Sequence, residues 1–221
     1  MKVKQKPAEK VWADFQSSEQ LTDRQLEQFQ KYQAFLHARN KEFNLTAITD
    51  LSGVVRQHFV DSLALRKFVD LNSLKCIADI GSGAGFPGIP LKIMFPHLKV
   101  ILLEVTKKKQ QFLDEVITLL GLENIFICDI DWRNFVRTTE DEIDLFVTRA
   151  AIADEEICRA FRPACWYRNS TIVYWASELW EPAKKSTPFV HHIERYALGN
   201  KKRLLVFFKT GSNDQAAPQQ D

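Results

Sequence analysis

The sequence predicts an α/β protein: a mostly parallel seven-stranded sheet covered on both faces, closed by an antiparallel C-terminal edge and preceded by an N-terminal helical cap. Three observations lead there. From Cys76 onward, short apolar runs alternate with helical stretches, the pattern of a parallel sheet with crossover helices. A glycine-rich turn at 81–85 joins the first run directly to a helix. Two late β-rich runs, His191–Leu198 and Arg203–Lys209, flank Gly199-Asn200, a hairpin signal. At 221 residues and 45% hydrophobic, the chain suits one α/β domain with an extension and can bury a substantial core.

Each element has a local cause. Residues 1–16 are polar and lysine-rich and are expected to be frayed. Thr22-Asp-Arg-Gln25 resembles a capping box, and Leu26, Phe29, Gln33 and Leu36 follow at helical spacing. A second helical pattern, from about Leu51 to Val69, carries Val55, Phe59 and Leu63 on one stripe, and Phe43-Asn-Leu-Thr-Ala-Ile48 connects the two. Strands are expected at 76–80, 100–104, 125–128, 143–148 and 171–175, with helices at 88–95, 107–120 and 153–162 and a further one near 177–185. The expected organisation is a helical cap at 17–72, a catalytic domain at 73–209 and a polar tail at 210–221.

Bulk properties exclude several classes. A net charge of +2 does not announce a nucleic-acid binder, so any such face must come from local clusters such as Lys107–Lys109, Lys184-Lys185 or Lys201–Arg203. Cys76, Cys128, Cys158 and Cys165 form no Cys-x-x-Cys pair. His191 and His192 would point to opposite faces of a strand, so no metal is expected. Neither a leader-like stretch nor a long apolar run is present, and a reduced, cytoplasmic protein outside the membrane is the expectation.

The chemistry concentrates at Asp79-Ile-Gly-Ser-Gly-Ala-Gly-Phe-Pro-Gly-Ile-Pro-Leu91. Strand, glycine loop and helix outline a nucleotide-cofactor site, although such turns also serve packing alone. The Gly-x-Gly-x-Gly spacing, with no Gly-Lys-Ser/Thr after it, excludes a P-loop. Glu104 ends the next apolar run, nineteen residues after Gly85, where an acid suits the hydroxyls of a ribose; the plainer reading is a surface pair with Lys107 or Lys108. A ribose-binding acid without a phosphate-binding lysine fits a nucleoside cofactor lacking phosphates, which describes S-adenosylmethionine.

These residues resemble the RsmG (GidB) family of small-subunit ribosomal RNA guanine-N7 methyltransferases. The resemblance is carried by Asn44-Leu-Thr-Ala, His58-Phe-Val-Asp-Ser62, the 79–91 motif, Leu102-Leu-Glu104, Lys108-Lys109, Phe112-Leu113, Leu119–Asn124 and Thr148-Arg-Ala150, and it spans roughly residues 20–210. It implies a class I, Rossmann-like methyltransferase fold, S-adenosylmethionine as cofactor, and 16S ribosomal RNA or the small subunit as partner, with a monomer expected. Asp79, Gly81, Gly83, Gly85, Phe86 and Glu104 match the cofactor side, and Trp132 and Arg133 match the pair that brackets adenine. Arg149 matches a pocket position serving cofactor and catalysis, and Asn44 and His58 match polar cap positions on the guanine or RNA side.

Glu104 stands where the family usually has Asp, a conservative change for binding a diol, and two further positions depart from the family pattern. Asp131 replaces an arginine, and Ala176 stands where the family often has lysine. Asp131 is read either as the acceptor of the adenine amine, with Trp132 on the ring, or as a helix N-cap beside a core tryptophan. Arg149 is read either as a guanine or phosphate ligand or as a salt bridge to Asp79 or Glu104, and His58 is placed to pair with Asp61 at i, i+3. Guanine N7 has a lone pair and no proton, so its methylation needs alignment rather than a base. The lack of an Asn/Asp-Pro-Pro-aromatic motif speaks against exocyclic amine methylation, and nothing marks Cys165 as the nucleophile of cytosine C5 methylation. Two alternatives stay open: a paralogue acting on another RNA, or a non-catalytic RNA-binding assembly protein.

Overall fold

The apolar runs assemble into one sheet in the computed structural model, which describes residues 7–149, 152–161 and 165–209. The strands are β1 (Cys76–Ile80), β2 (Lys99–Leu103), β3 (Ile125–Cys128), β4 (Leu145–Arg149), β5 (Thr171–Ser177), β6 (Val190–Leu198) and β7 (Lys201–Lys209). Their order is β3-β2-β1-β4-β5-β7-β6. β1 to β5 run parallel, and β7 is antiparallel to both neighbours. The hairpin forms as expected, but its second strand inserts beside β5 and leaves β6 on the edge. All of β1 is buried, as a strand covered on both faces must be.

Helices α1 (Ala8–Glu19) and α2 (Asp23–Phe43) lead into a continuous helical run: α3 (Leu51–Val54), a π-helical turn (Val55–Val60), α4 (Asp61–Leu63) and a 3-10 turn (Ala64–Lys67). Between strands lie α5 (Gly88–Met94), α6 (Lys107–Leu120), α7 (Trp132–Thr138) and α8 (Asp154–Ala160). The capping box closes in both directions, Thr22 Oγ1 accepting from Gln25 N and Gln25 Oε1 from Thr22 N. Tyr32 is fully buried and fills the interior position that helical spacing had offered to Gln33. Val55, Phe59 and Leu63 are buried as read.

Three expectations are corrected. The stretch expected to fray becomes α1 from Ala8, because Val11 and Phe15 share one helical face and are buried, and Arg66 holds the end of the helix at Glu19 (2.9 Å). Residues 1–6 and the expected tail at 210–221 lie outside the described residues, as does Arg162 at the end of the expected 153–162 helix. The segment near 177–185 is no helix. β5 extends to Ser177, and turns lead to a 3-10 turn at Thr187–Phe189; Pro182 removes an amide donor there. The run expected as a regular helix to Val69 contains the π-helical turn instead, a feature that concentrates at functional sites.

One apolar cluster joins the cap to the sheet, running from Phe15, Phe29, Tyr32 and Phe59 to Ile77, Leu102 and Phe112. The rings of Tyr32 and Phe86 stack at 5.3 Å and those of Phe35 and Phe112 at 5.5 Å, so the boundary expected near residue 72 is crossed by a shared core. A second cluster, around Phe146, Trp132 and Phe161, covers the opposite face. The thiols of Cys76 and Cys158 are pushed by burial up to about 11, which makes them inert core residues.

Candidate active site

A cleft of about 570 Å³ opens at the C-terminal ends of β1, β2 and β4, with Gly81, Glu104, Asp131, Trp132, Arg133 and Arg149 among its walls. β1 lies between β2 and β4, so the cleft sits where the strand order reverses, the position of ligands in open α/β sheets. The loop after β1 turns through Gly81 (φ 71°), Gly83 (φ 60°) and Gly85 (φ 91°), a region that strongly favours glycine. A Cβ at Gly85 would lie 2.5 Å from Ile89 Cδ1 and 2.8 Å from the Tyr32 hydroxyl. That hydroxyl donates to Ala84 O, so the cap clamps the loop.

Glu104 is buried and reaches back to the loop. Its Oε2 accepts from Gly83 N (3.0 Å) and its Oε1 from Thr106 N (2.9 Å), and Lys109, rather than Lys107 or Lys108, approaches at 3.7 Å. A carboxylate has roughly four lone-pair sites, so acceptor capacity remains for a diol. Asp79 is fully buried beneath the loop, where Oδ2 accepts from Gly88 N (2.9 Å) and Oδ1 has no partner among the described residues. Burial raises its carboxyl to about 7, against the pull of the Gly88 amide and Arg149.

On the far wall, Asp131 is the N-cap of α7, accepting from Arg133 N (2.9 Å) and Arg133 Nη1 (3.1 Å). Arg133 also bonds Glu156 (2.9 Å) and lies 5.1 Å over the Trp132 ring. The capping reading of Asp131 is thus realised, with the side chain still on the cleft wall. Val105 and Ile130 present apolar surface to the cleft at 56% and 43% exposure. Sequence reasoning missed both; their signal was an apolar residue two positions past the end of a strand.

Arg149 stands at the inner end of the cleft. Its Nη1 donates to Gln57 O (3.0 Å) and Asp61 Oδ2 (3.3 Å), and its Nη2 donates to His58 Nδ1 (3.1 Å). The ion pair of the alternative reading, to Asp79 or Glu104, is made to Asp61 instead, because the π-helical turn presses Gln57 to Asp61 against the end of β4. The His58–Asp61 pair does not form either. Since a guanidinium only donates, His58 Nδ1 accepts, and Nε2–H donates to Thr46 Oγ1 (2.8 Å). Burial, reinforced by the Arg149 charge, lowers this imidazole to about 3, so it is neutral near pH 7.

Asp61, marked by sequence only as a partner for His58, is the hub of the site. At 2% exposure it also receives Tyr196 Oη (2.6 Å), Arg203 Nε (3.3 Å) and Arg203 Nη2 (3.4 Å), while its carbonyl accepts from Trp175 Nε1 (2.8 Å). Phe86 and Asn44 are not brought to the cleft. Phe86 is buried beneath His58 (4.4 Å, stacked) and Arg149 (5.0 Å), and so supports them from below. Asn44 is exposed and caps α2 in the left-handed conformation (φ 51°); Asn40 makes the polar contacts to Thr46 (2.8 Å) beside His58. Ala176 is buried opposite Leu204 on β7, so its departure from the family pattern lies in the core.

Comparison with known proteins agrees with this geometry. The sequence pattern of the GidB family, rRNA small subunit methyltransferase G, matches residues 25–190. The Staphylococcus carnosus ribosomal RNA small subunit methyltransferase G is 40% identical over 135 residues, covering 60% of this chain and 56% of that protein. The Exiguobacterium sibiricum protein of the same name is 45% identical over 106 residues, covering 48% and 44%. The chain thus spans about half the length of the curated relatives it matches. Among solved structures, MtNAS with MTA and tNA superposes with a TM-score of 0.57 at 16% identity, covering 80% of this chain and 70% of that one. M. capricolum TrmK with S-adenosyl-homocysteine gives 0.53 at 14% identity, covering 67% of each. These two establish the fold, and the match across residues 25–190 establishes the family: the chain belongs to the rRNA small subunit methyltransferase G family.

Proposed function

We propose that the cleft binds S-adenosylmethionine and that the protein transfers its methyl group to N7 of a guanine in 16S ribosomal RNA. The observation that carries this reading is the pairing of the positive-φ glycine loop with Glu104 at the reversal point of the sheet. The residues fit the cofactor: Glu104 has acceptor capacity for a ribose diol, Val105 and Ile130 offer apolar walls to adenine with Asp131 at its edge, and the orphaned Asp79 Oδ1 suits an ammonium group. Bound there, the cofactor supplies an activated methyl group on a sulfonium.

The chain's part is alignment and exclusion of water. His58 is neutral, and both its nitrogens are engaged by Arg149 and Thr46, so it holds Arg149 in place and takes no proton. That suits N7, which has none to give up. Arg149 keeps Nε–H and one Nη2–H without a bond to any described residue, and these are suited to O6 of the guanine. The substrate is the small ribosomal subunit or its RNA, and the protein acts as a monomer in the cytoplasm. Among the described residues no helix is long and apolar enough to cross a membrane and no His/Cys/Asp/Glu group could hold a metal ion.

Methyl transfer to small subunits lacking the modification, followed by cleavage at 7-methylguanine, tests the reading. A single new site in 16S RNA is expected. Cofactor binding without transfer to any RNA would favour the non-catalytic assembly protein, and transfer to a different RNA would favour a paralogue.

A further inference from the structure

Arg56 and Lys201 lie 145 positions apart in sequence and meet at one place beside the cleft. β7 runs antiparallel to β5, pairing Ser177 with Arg203. The β6–β7 tip therefore lies at the same end of the sheet as the C-termini of β1, β2 and β4, where the cleft opens. Arg56, at the start of the π-helical turn, lies across this tip: a Cβ on Gly199 would sit 3.1 Å from Arg56 Cδ and 3.8 Å from its Nη1. Lys201 Nζ lies 3.4 Å from Gln57 Oε1, and the carbonyl of the same Gln57 receives Arg149 Nη1 (3.0 Å). One residue thus separates the cleft arginine from the cationic tip.

Both side chains are exposed, and among the described residues neither has a carboxylate partner. Their neighbours differ: Lys202 is paired with Glu178 (3.4 Å) and Arg203 is spent on buried Asp61 (3.3 Å). Two unneutralised cations therefore stand next to the cleft on a backbone fixed by the core. Arg56 supplies a planar fork suited to phosphate oxygens, and Lys201 a point charge.

We infer that Arg56 and Lys201 form a phosphate-binding ledge for the RNA strand that carries the target base. The inference rests on the reading of the chain as an RNA methyltransferase. The ledge adds affinity that is independent of base identity, because phosphate contacts position a strand without reading its sequence.

The test measures binding of the full chain to protein-free 16S RNA against salt concentration, alongside methyl transfer and cofactor affinity. Arg56→Ala and Lys201→Ala are each expected to reduce the slope of log K against log salt by about 0.7–0.9. The double variant should raise KM for RNA on the order of tenfold at moderate salt and leave kcat at saturating RNA and cofactor affinity unchanged. Arg56→Lys should keep the slope, and Lys31→Ala, on α2 and paired with Glu27 (2.7 Å), should leave it as in the parent. A steep parental slope that both alanine variants retain would overturn the ledge alone and turn attention to an acidic protein partner for this surface. A parent protein that neither binds nor methylates 16S RNA, whether protein-free or within the small subunit, would overturn the ledge together with the function proposed above.

Discussion

Asp61 and Arg149, 88 residues apart in sequence, meet at 3.3 Å with side-chain exposures of 2% and 12%. The same carboxylate receives Tyr196 and Arg203, so one acid is shared by two cations and ties the cap to β4 and to the C-terminal hairpin. Removing one member of a buried charge network leaves the others unpaired, which costs far more than the pair contributes. Asp61→Ala is therefore expected to lose about 3–5 kcal/mol of stability, read from urea denaturation. Tyr196→Phe, which removes one hydrogen bond, should lose about 1–3 kcal/mol. An Asp61→Ala protein as stable as the parent would refute the hub.

Glu104 joins the glycine loop to the ribose side of the cleft. Glu104→Ala removes the acceptor of Gly83 N and Thr106 N as well as the expected diol contact. A hydrogen bond to a charged group contributes about 1.5–3 kcal/mol, so S-adenosylmethionine affinity should fall roughly 10- to 100-fold. Calorimetric titration measures it, and unchanged affinity would place the cofactor elsewhere.

Asp131 carries two separable roles. Asp131→Ala should cost about 1 kcal/mol of stability through the lost cap and should weaken cofactor binding as well. Asp131→Ser restores a capping oxygen to α7 but is too short to reach adenine, so stability should recover while affinity stays low. Normal cofactor binding by Asp131→Ala would leave the residue with its capping role only.

His58 and Asp79 act on the stability–pH profile with opposite signs. Unfolded His58 titrates near 6.5 and folded His58 near 3. As pH falls through that window the unfolded chain takes up a proton that the folded chain refuses, and stability is lost. Asp79 moves from 3.8 up to about 7 on folding, so the folded chain holds the extra proton and stability is lost as pH rises. Each slope approaches about 1.4 kcal/mol per pH unit, and between roughly pH 4 and 6.5 they oppose. His58→Gln should lose stability as pH rises from 4 to 7, and Asp79→Asn as pH falls from 6.5 to 4. Urea midpoints across that range check both signs, and pH-independent midpoints in the two variants would remove burial as the cause.

Local pattern alone determined much of this protein. β1 and α6 fall on the expected limits, because an apolar run bounded by glycine and a helical stretch ending at Gly121 are signals carried by neighbouring residues. The glycine loop and Glu104 were legible for the same reason, since a turn that needs positive φ marks itself in sequence. α1 was not legible: a lysine-rich composition hid a two-residue apolar face that only the cap could bury. Tertiary structure alone decided the partners of Arg149 and the centrality of Asp61. Its contacts with Arg149, Tyr196 and Arg203 span 88, 135 and 142 residues, and no periodicity within one segment encodes which distant segment it will face. Tertiary structure likewise set Phe86 and Asn44 outside the cleft and brought Arg56 to Lys201, because the sheet order and the docking of the cap, not spacing along the chain, determine which side chains share one end of the fold.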